Sequence, residues 1–351
     1  MTNRRERGVT LLELVFYLLA IVLGCFITWT AYNNLMLTAV QPESTESVPY
    51  IVQQGNNWKS VAKDLEGRGL LKNWWSFYLT LKLKKMDTAT LIPGEYSLSP
   101  SFTPERMVKA FIDKEMIVHK VVIAEGKSNR EVTALLVATG LVSATEVEMA
   151  LRDPSIFAKY DIPASSLEGY LFPATYEFYR PTSAQEMISR MLNEGVRRRT
   201  QEMMERSIDL GMTYHSILTL ASIIEKETSR EDERAIVSSL YQNRLRIGMP
   251  LQSDPTVIYG VNDFDGNLTR EHLNTDTPYN TYIHPGLPPT PICNPGEEAI
   301  KAALYPDKTE FLFMVAKGDG SHVFSKQYSD HVNAVNQYQR KKTETTAAIE
   351  Q

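Results

Sequence analysis

The sequence lacks most of the residue patterns that reveal a protein's chemistry directly. Its 351 residues include two cysteines, Cys25 and Cys293, which are too few for a disulfide framework, and no cysteine–histidine spacing matches a structural zinc site. A glycine-rich phosphate-binding loop is also missing. The net charge of −5 lacks the basic excess that is typical of nucleic-acid-binding proteins. We therefore predict no nucleic-acid partner, no metal site and no cofactor.

The N-terminal region is strongly patterned. Three arginines among the first seven residues precede an apolar run, and no charged residue occurs from Leu14 to Pro42. A run of this length can cross a membrane as one helix, and basic residues before it favour a cytoplasmic N-terminus. We predict a cytoplasmic tail over residues 1–13 and an uncleaved anchor over residues 14–36. The rest of the chain would then lie outside the plasma (inner) membrane.

Two alternatives concern the same segment. A cleaved signal peptide would carry a similar apolar run, but no good small-residue cleavage site follows this one. The stretch RGVTLLELVFYLLA resembles the processing motif of type IV prepilins, with Gly8 before the cut and Glu13 five residues after it. Pilins are small, and the downstream sequence does not resemble one. A pilin-like protein processed after Gly8 is therefore the minor alternative.

The remaining sequence predicts an α+β protein with two extracytoplasmic parts. After a polar linker over residues 37–47, an extended segment, Gly55 and an amphipathic helix follow one another, an order that resembles a LysM-like unit. We predict a LysM-like α+β module over 48–155, a larger mixed α/β catalytic domain over 156–341 and a frayed C-terminus over 342–351. LysM modules often bind N-acetylglucosamine-containing glycans, but a structural spacer explains the same pattern equally well.

Two carboxylates stand out in the stretch ASIIEKETS, residues 221–229. On a helix over 214–229, Glu225 and Glu227 fall on opposite margins of the apolar stripe, so periodicity does not choose between them. Residues two apart do not face one another on a helix, and the two acids are therefore not a catalytic pair. Arg230 and Arg234 lie within helical reach of Glu227, so surface ion pairs are the simpler explanation. The alternative is a carboxyl group whose pKa is raised by apolar surroundings, which suits a proton donor.

A longer segment resembles a known family. The stretch ASIIEKETSREDERAIVSSLYQNRLRIGMPLQSDPTVIYG, followed by YNTY, GLPP and NPG, is similar to the MltG-type (YceG-like) endolytic murein transglycosylases. The similarity covers most of residues 160–340, with the anchor and the LysM-like unit before it in the expected order. It implies a membrane-anchored enzyme that cuts nascent peptidoglycan glycan strands near the synthases that make them.

The resemblance also implies a mechanism. The family's catalytic acid falls on the second Glu of the EKET run, which is Glu227 here. Glu227 would protonate the oxygen of the MurNAc-β-1,4-GlcNAc bond and then take the proton of the MurNAc C6 hydroxyl, which leaves a 1,6-anhydro end. One carboxyl group can serve both steps, whereas a hydrolase normally needs a second carboxylate.

Polar and aromatic residues near these motifs are candidates for substrate contact. Amides and phenols suit sugar hydroxyls and N-acetyl groups, and aromatic faces suit pyranose rings. The predicted substrate-binding residues are Glu168, Gln252, Ser253, Asp254, Tyr279, Asn280 and Tyr282. Glu168 equally suits a helix cap, Asp254 a turn, and Arg244 a structural role.

The sequence departs from the family at two loop positions. Ala174 stands where the family often has Asp, and Thr290 stands where it often has Gly. Neither change removes the predicted acid, but both affect the expected loop geometry. The alternative from another functional class is a non-catalytic, membrane-anchored protein that binds glycan or acts as a scaffold in the cell wall.

Overall fold

The computed structural model describes residues 10–36, 38–261 and 264–340. The first element is α1 (Leu11–Met36), whose segment Leu11–Asn34 is long and apolar enough to cross a membrane. Its apolar side chains are exposed, as expected of a helix that needs lipid rather than a protein core around it. The predicted anchor thus has a helix to match it, which begins three residues earlier than expected. The predicted site at Gly8, most of the cytoplasmic tail and the predicted frayed C-terminus lie outside the described residues.

The chain forms two compact units. Unit 1 comprises residues 1–119 and 179–181, and unit 2 comprises residues 120–178 and 182–351. The sequence predicted a boundary near residue 155, whereas the structural division falls at 119/120. The reason is packing: Val121, Val132 and other apolar residues of 120–155 belong to a core that also contains Phe178 and Met187.

Unit 1 is a small α+β structure beyond the apolar helix. Strands β1 (Val48–Val52) and β2 (Gly94–Leu98) pair antiparallel, with Tyr50 opposite Tyr96. Three helices pack with this hairpin, namely α2 (Trp58–Gly67), α3 (Trp74–Leu83) and α4 (Pro104–Ile112). The strand, Gly55 and helix order predicted from the sequence is present. Its identification as a LysM-like module stays a prediction.

Unit 2 is mostly helical and contains two pairs of short strands. Its strands are β3 (His119–Val122), which pairs with β4 (Thr175–Phe178), and the hairpin of β5 (Phe313–Ala316) and β6 (His322–Ser325). The stretches FLFMVAK and SHVFS, separated by Gly318-Asp319-Gly320, predict this hairpin, and the antiparallel pairing of β5 and β6 confirms it. The helices are α5 (Asn129–Ala138), α6 (Ala144–Leu151), α7 (Pro154–Tyr160), α8 (Ala184–Arg198), α9 (Gln201–Asp209), α10 (Tyr214–Glu227), α11 (Glu231–Arg246), α12 (Asp254–Gly260), α13 (Arg270–Asn274), α14 (Glu297–Leu304) and α15 (Tyr328–Val335), followed by a π-helical turn (Asn336–Arg340).

Helix α10 runs through a second hydrophobic core of unit 2, which also contains Val237, Leu240 and Ile300. Thr213 caps it by accepting a hydrogen bond from the amide of Ser216, and every residue from Ile217 to Ile224 is buried. A helix that is buried on all sides needs apolar residues outside the usual stripe, and α14 and α11 pack against it here. This burial fixes the position of the last turn of α10, which carries both carboxylates.

The end of α10 differs from the sequence-based expectation. The helix was expected to run to residue 229, but it ends at Glu227, and Thr228 is extended with φ −143° and ψ 130°. A new helix, α11, begins three residues later, with the Thr228 hydroxyl accepting a hydrogen bond from the Arg230 amide at 3.1 Å. The expected approach of Arg230 and Arg234 to Glu227 along one helix is therefore wrong, because the chain changes direction between them.

We predict that the core of unit 1 depends on Phe111. Its ring is 3% exposed and lies 4.7 Å from the Tyr96 ring and 6.1 Å from the Tyr50, Trp58 and Phe77 rings. Replacement by Ala should destabilise unit 1 by about 3–5 kcal/mol, through lost burial and a residual cavity. Amide hydrogen exchange of β1 and β2 in low denaturant measures this free energy. Ile51→Ala, at a position that is 45% exposed, is the control, and an equal loss in both variants would contradict the prediction.

Candidate active site

The last turn of α10 places Glu227 at the centre of a polar cluster. The Tyr241 hydroxyl on α11 and the Ser253 hydroxyl before α12 each donate a hydrogen bond to Oε1 of Glu227, both at 2.6 Å. Ser253 and Tyr241 are 1% exposed, whereas Glu227 is only partly buried. Within the described residues, both hydrogen bonds go to Oε1, so Oε2 stays available for a proton-transfer partner.

The surroundings of Glu227 favour its neutral form. Burial is the largest cause and raises its pKa above the ordinary value, and the Asp254 carboxylate adds to the rise. The two hydroxyl groups and the charge of His322 act in the opposite direction, because they stabilise the carboxylate. Glu227 is also the last residue of α10, where the partial negative charge of the helix end opposes a second negative charge. The result is a carboxyl group that holds its proton at a higher pH than a solvated Glu does.

Glu225 lies in a different environment only two residues away. Its Oε2 accepts a hydrogen bond from the Gly296 amide at 2.9 Å, at the start of α14, and its Oε1 lies 3.6 Å from Nη2 of Arg234. A helix N-terminus and a guanidinium group both attract a negatively charged side chain. Its side chain is 9% exposed. Glu225 therefore has the contacts of a structural ion pair that joins α10, α11 and α14.

Asp254 and Tyr282 form a pair beside Glu227. The Tyr282 hydroxyl donates to Oδ1 of Asp254 at 2.6 Å, and the pKa of Tyr282 is raised by burial, by this hydrogen bond and by the nearby carboxylates. Asp254 is exposed and Tyr282 is partly buried. Sequence reasoning grouped these residues from separate loops, and the structure brings them together at Glu227.

Gln252 occupies the turn that leads to Ser253. Its φ of 49° lies in the left-handed region, which is unusual for a residue other than glycine. The Gln252 amide donates to the Thr281 carbonyl at 3.0 Å, and the Ser253 amide donates to the Thr281 hydroxyl at 3.0 Å. The Gln252 side chain is exposed. The strained backbone at Gln252 thus directs the Ser253 hydroxyl towards Glu227. The side-chain carboxamide of Gln252 remains in solvent.

Asn280 has a different position from the one that substrate contact requires. It is fully buried, and its Nδ2 donates to the carbonyls of Leu273 and Thr275 at 3.0 and 2.8 Å. Its Oδ1 accepts from the Tyr282 amide at 3.0 Å. Its side chain therefore holds the loop that carries Tyr282.

Glu168 and Tyr279 belong to a neighbouring polar region. Glu168 is 3% exposed, and its carboxylate accepts from the Asn129 amide at 2.9 Å, at the start of α5, and from the Tyr259 hydroxyl at 3.0 Å. Burial raises the pKa of Glu168 to about 7. The Tyr259 ring meets the Tyr279 ring edge to face at 4.8 Å. In the described part of the chain, no hydrogen bond joins this region to Glu227, so the structure separates Glu168 from the cluster.

The two positions that depart from the family pattern have different surroundings. The Thr290 hydroxyl shares a hydrogen bond with the Tyr279 hydroxyl at 2.8 Å, a contact that glycine could not make. Thr290 is 5% exposed, so it acts beneath the loop rather than at its surface. The Ala174 carbonyl accepts a hydrogen bond from the Ile123 amide at 2.9 Å, a backbone contact that does not depend on the side chain.

Two contributors were not identified from the sequence. Tyr241 follows Glu227 by fourteen residues on another helix, and no local spacing reveals their contact. His322, which follows Glu227 by 95 residues, contacts Glu233 through Nδ1 at 2.6 Å and through its amide at 3.0 Å. Its charge nevertheless influences Glu227. Among the residues that the structure describes, no three His, Cys, Asp or Glu side chains converge as metal ligands do.

Comparison with known proteins assigns the family. A profile described as the YceG-like family matches residues 50–337. The chain belongs to this family. An endolytic murein transglycosylase of Bacillus subtilis (strain 168) is 30% identical over 332 residues, which cover 89% of this chain and 91% of that protein.

Two further comparisons extend this result. An endolytic murein transglycosylase of Streptococcus pneumoniae (strain ATCC BAA-255 / R6) is 25% identical over 339 residues, or 84% of this chain. The match spans 60% of that longer protein. A 2.6 Å crystal structure of a YceG-like protein from Listeria monocytogenes is similar with a TM-score of 0.57 and 31% identity, and the match covers 83% of this chain and 100% of that chain. The family assignment thus has support from sequence and from fold.

We predict opposite stability effects from the two carboxylates. The raised pKa means that folded protein binds more protons at Glu227 than unfolded protein does, so stability falls as pH rises from the ordinary value, near 4.5, through the raised one. Glu227→Gln should therefore raise the melting temperature above this window and have little effect below it. Glu225→Gln should lower stability by about 1–3 kcal/mol, because it weakens contacts to Arg234 and the Gly296 amide.

Thermal melts of both variants between pH 4 and pH 8 measure these effects. The two substitutions are matched in chemistry and lie two residues apart, so each serves as the control for the other. Destabilisation by Glu227→Gln at high pH would show that the carboxylate, and not the acid, is the form that the fold stabilises.

Proposed function

We propose that this chain is a membrane-anchored endolytic lytic transglycosylase of peptidoglycan, with Glu227 as its catalytic acid and base. The observation that carries the proposal is the Glu227 carboxyl group, whose pKa is raised by burial and whose Oε1 is held by Tyr241 and Ser253. The relatives named endolytic murein transglycosylases support the substrate class. The bond cleaved is the MurNAc-β-1,4-GlcNAc linkage of nascent glycan strands.

The reaction proceeds through two proton transfers at one carboxyl group. Neutral Glu227 gives its proton to the glycosidic oxygen as the bond from MurNAc C1 breaks, and the GlcNAc hydroxyl leaves. The C6 hydroxyl of the same MurNAc then attacks C1, forms the 1,6-anhydro bond and returns its proton to the Glu227 carboxylate. The carboxyl group ends as it began, so no water and no second carboxylate are consumed.

The hydroxyl contacts suit this cycle. Tyr241 and Ser253 donate to Oε1 whether Glu227 is neutral or charged, so the carboxyl group keeps its orientation while Oε2 loses and regains the proton. Their donation also limits the rise in pKa that burial causes. A group whose pKa lies near the working pH can act as acid and as base with similar ease. Tyr241 and Ser253 are therefore positioning residues for Glu227.

Substrate contact is assigned to the members of the cluster that reach solvent. Gln252, Asp254 and Tyr282 offer an amide, a carboxylate and a phenol to the hydroxyl and N-acetyl groups of a sugar. Tyr279 offers a partly exposed ring beside them in sequence. For Asn280 and Glu168, we propose support of the loops and of α5, because both are buried and their polar atoms hold the backbone.

The N-terminal helix fits a single membrane anchor. We propose that α1 crosses the plasma membrane with its N-terminus in the cytoplasm and both units outside, where glycan strands are made. Synthases that extend the strands would be natural neighbours of such an enzyme. The LysM-like unit would supply further glycan contact.

We predict that Glu227→Gln abolishes cleavage. Loss of a general acid should lower kcat by about 10²–10⁴-fold or more, since Gln keeps the shape but cannot donate the proton. Mass spectrometry of fragments released from purified peptidoglycan measures both rate and product. Wild-type protein should release fragments with 1,6-anhydro ends. Glu225→Gln, assayed below its melting temperature, should retain cleavage and controls for loss of charge.

Other outcomes of this assay would select other functions. Reducing ends in place of anhydro ends would indicate a muramidase. Equal release by wild type and Glu227→Gln would remove Glu227 from the mechanism. An intact polymer with both proteins, together with retained glycan binding, would indicate a scaffold.

We predict opposite shifts of the pH profile from Ser253→Ala and Asp254→Asn. The first step needs neutral Glu227, so kcat/KM should fall as pH rises through its pKa. The Ser253 hydroxyl lowers this pKa and the Asp254 carboxylate raises it. Ser253→Ala should therefore move the falling limb to higher pH, and Asp254→Asn to lower pH. Ser239→Ala, a buried serine that contacts Thr309 instead, should leave the limb in place, and shifts of the same sign in both test variants would contradict this assignment.

A further inference from the structure

One exposed surface in unit 1 is unusually apolar. On α3, the side chains of Trp75, Leu79 and Leu83 are 57%, 42% and 60% exposed. They are four residues apart and form one stripe, about 12 Å long at 1.5 Å per residue. The opposite face of α3 is buried against the core of unit 1 through Phe77 and Leu81. We call Trp75, Leu79 and Leu83 the α3 stripe.

Aromatic side chains extend the α3 stripe at its N-terminal end. The Trp74 and Trp75 rings are 4.8 Å apart, and the Tyr78 ring lies 6.2 Å from Trp74 and 6.4 Å from Trp75. The ammonium groups of Lys59 and Lys63 lie 5.7 and 5.5 Å from the Trp74 ring. Tryptophan and tyrosine next to aliphatic side chains, with lysines around them, is the composition of segments that lie in the interface of a bilayer.

The α3 stripe is also close to the end of the apolar helix. Helix α1 contacts α3. The Lys72 ammonium group, just before α3, donates a hydrogen bond to the Thr38 hydroxyl at 3.0 Å, four residues beyond the apolar segment that ends at Asn34. The point where the chain would leave the bilayer is therefore held beside the first turn of α3.

Further lysines give this side of unit 1 a positive character. Lys82, Lys84 and Lys85 flank Leu83 at the C-terminal end of the α3 stripe and are exposed. Lys82 pairs with Asp87 at 2.5 Å and Lys84 with Glu105 at 2.8 Å, so part of the charge is balanced within the unit. Basic side chains near an apolar surface favour contact with the anionic lipids of a membrane.

We propose that the α3 stripe docks into the outer surface of the membrane that α1 crosses, so that α3 lies in the headgroup region as a second membrane contact. This inference rests on the proposed anchor. The occupant is a lipid bilayer rather than a glycan because the aliphatic Leu79 and Leu83 continue the stripe beyond the aromatic rings, and a glycan gains little from them. Insertion would remove apolar side chains from water without folding a new segment.

Fluorescent labelling of the full chain in vesicles tests this contact. The chain is reconstituted in vesicles of phosphatidylethanolamine and phosphatidylglycerol that contain lipids spin-labelled at shallow or deep positions. Leu79→Cys, in a chain with Cys25→Ser, carries an environment-sensitive fluorophore, while the native Cys293 is 1% exposed and stays unlabelled. We expect blue-shifted emission and several-fold stronger quenching by shallow than by deep spin labels.

Two matched variants make the result specific. Adding Trp75→Asp and Leu83→Asp should abolish the blue shift and the lipid quenching at position 79, since both residues are exposed and their replacement leaves the core intact. A fluorophore on the native Cys25, within α1, reports the anchor alone. Deep quenching at Cys25 without quenching at position 79 would overturn the docking proposal and leave the anchor standing. Absence of quenching at Cys25 would overturn the anchor and the docking proposal with it.

The other occupants give distinct signals. A blue shift at position 79 that increases with the protein-to-lipid ratio, without quenching by the spin-labelled lipids, would assign the stripe to a second copy of the chain. A blue shift that appears on addition of peptidoglycan fragments, again without lipid quenching, would assign it to a glycan. Either result would overturn membrane docking.

Discussion

The site depends on keeping one carboxyl group partly buried at the end of a buried helix. Burial and the helix end both disfavour the Glu227 carboxylate, and the hydroxyl groups of Tyr241 and Ser253 offset part of that cost. Neither influence alone would suit the acid and base role that we propose for Glu227. Full solvation would return the pKa of Glu227 to its ordinary value, and burial without the two hydroxyl donors would raise that pKa further. The structure holds it between these limits, with one oxygen fixed and the other available.

The loops around Glu227 have little regular structure. Side chains hydrogen-bond to their backbone groups and so hold them in place. The Arg244 guanidinium group donates to the carbonyls of Leu251 and Leu312 at 2.6 and 2.7 Å, which ties the segment before Ser253 to α11 and to the start of β5. Asn280 holds the following loop in the same way. Buried side chains that satisfy backbone groups make an irregular loop rigid. The Ser253 hydroxyl, which donates to Glu227, therefore depends for its position on side chains that hold the neighbouring backbone.

The two neighbouring glutamates show how sharply environment separates like residues. Glu225 and Glu227 flank Lys226. Glu225 contacts a helix N-terminus and a guanidinium group, whereas Glu227 lies at a helix C-terminus and contacts two hydroxyl groups. The first arrangement is that of an ion pair, and the second raises the pKa of the carboxyl group. This difference supports the chemical role that we propose for Glu227 and the structural role that we infer for Glu225. Like residues also have different environments on α3 in unit 1. Apolar residues on one face of this helix are buried in the core, and apolar residues on the other face are exposed.

Features that depend on near neighbours along the chain could be predicted from the sequence. The apolar N-terminal helix, the hairpin of β5 and β6, and the family could all be predicted, because each rests on a contiguous pattern. Tertiary structure alone decided which glutamate lies among proton-donating hydroxyls, since Tyr241 and Ser253 are brought to it from 14 and 26 residues away. It also decided that α10 ends at Glu227, which sends Arg234 to Glu225, and that residues 120–155 pack in unit 2. Helical periodicity places both acids at the margin of a stripe, but only the packing of separate segments fixes what each margin meets.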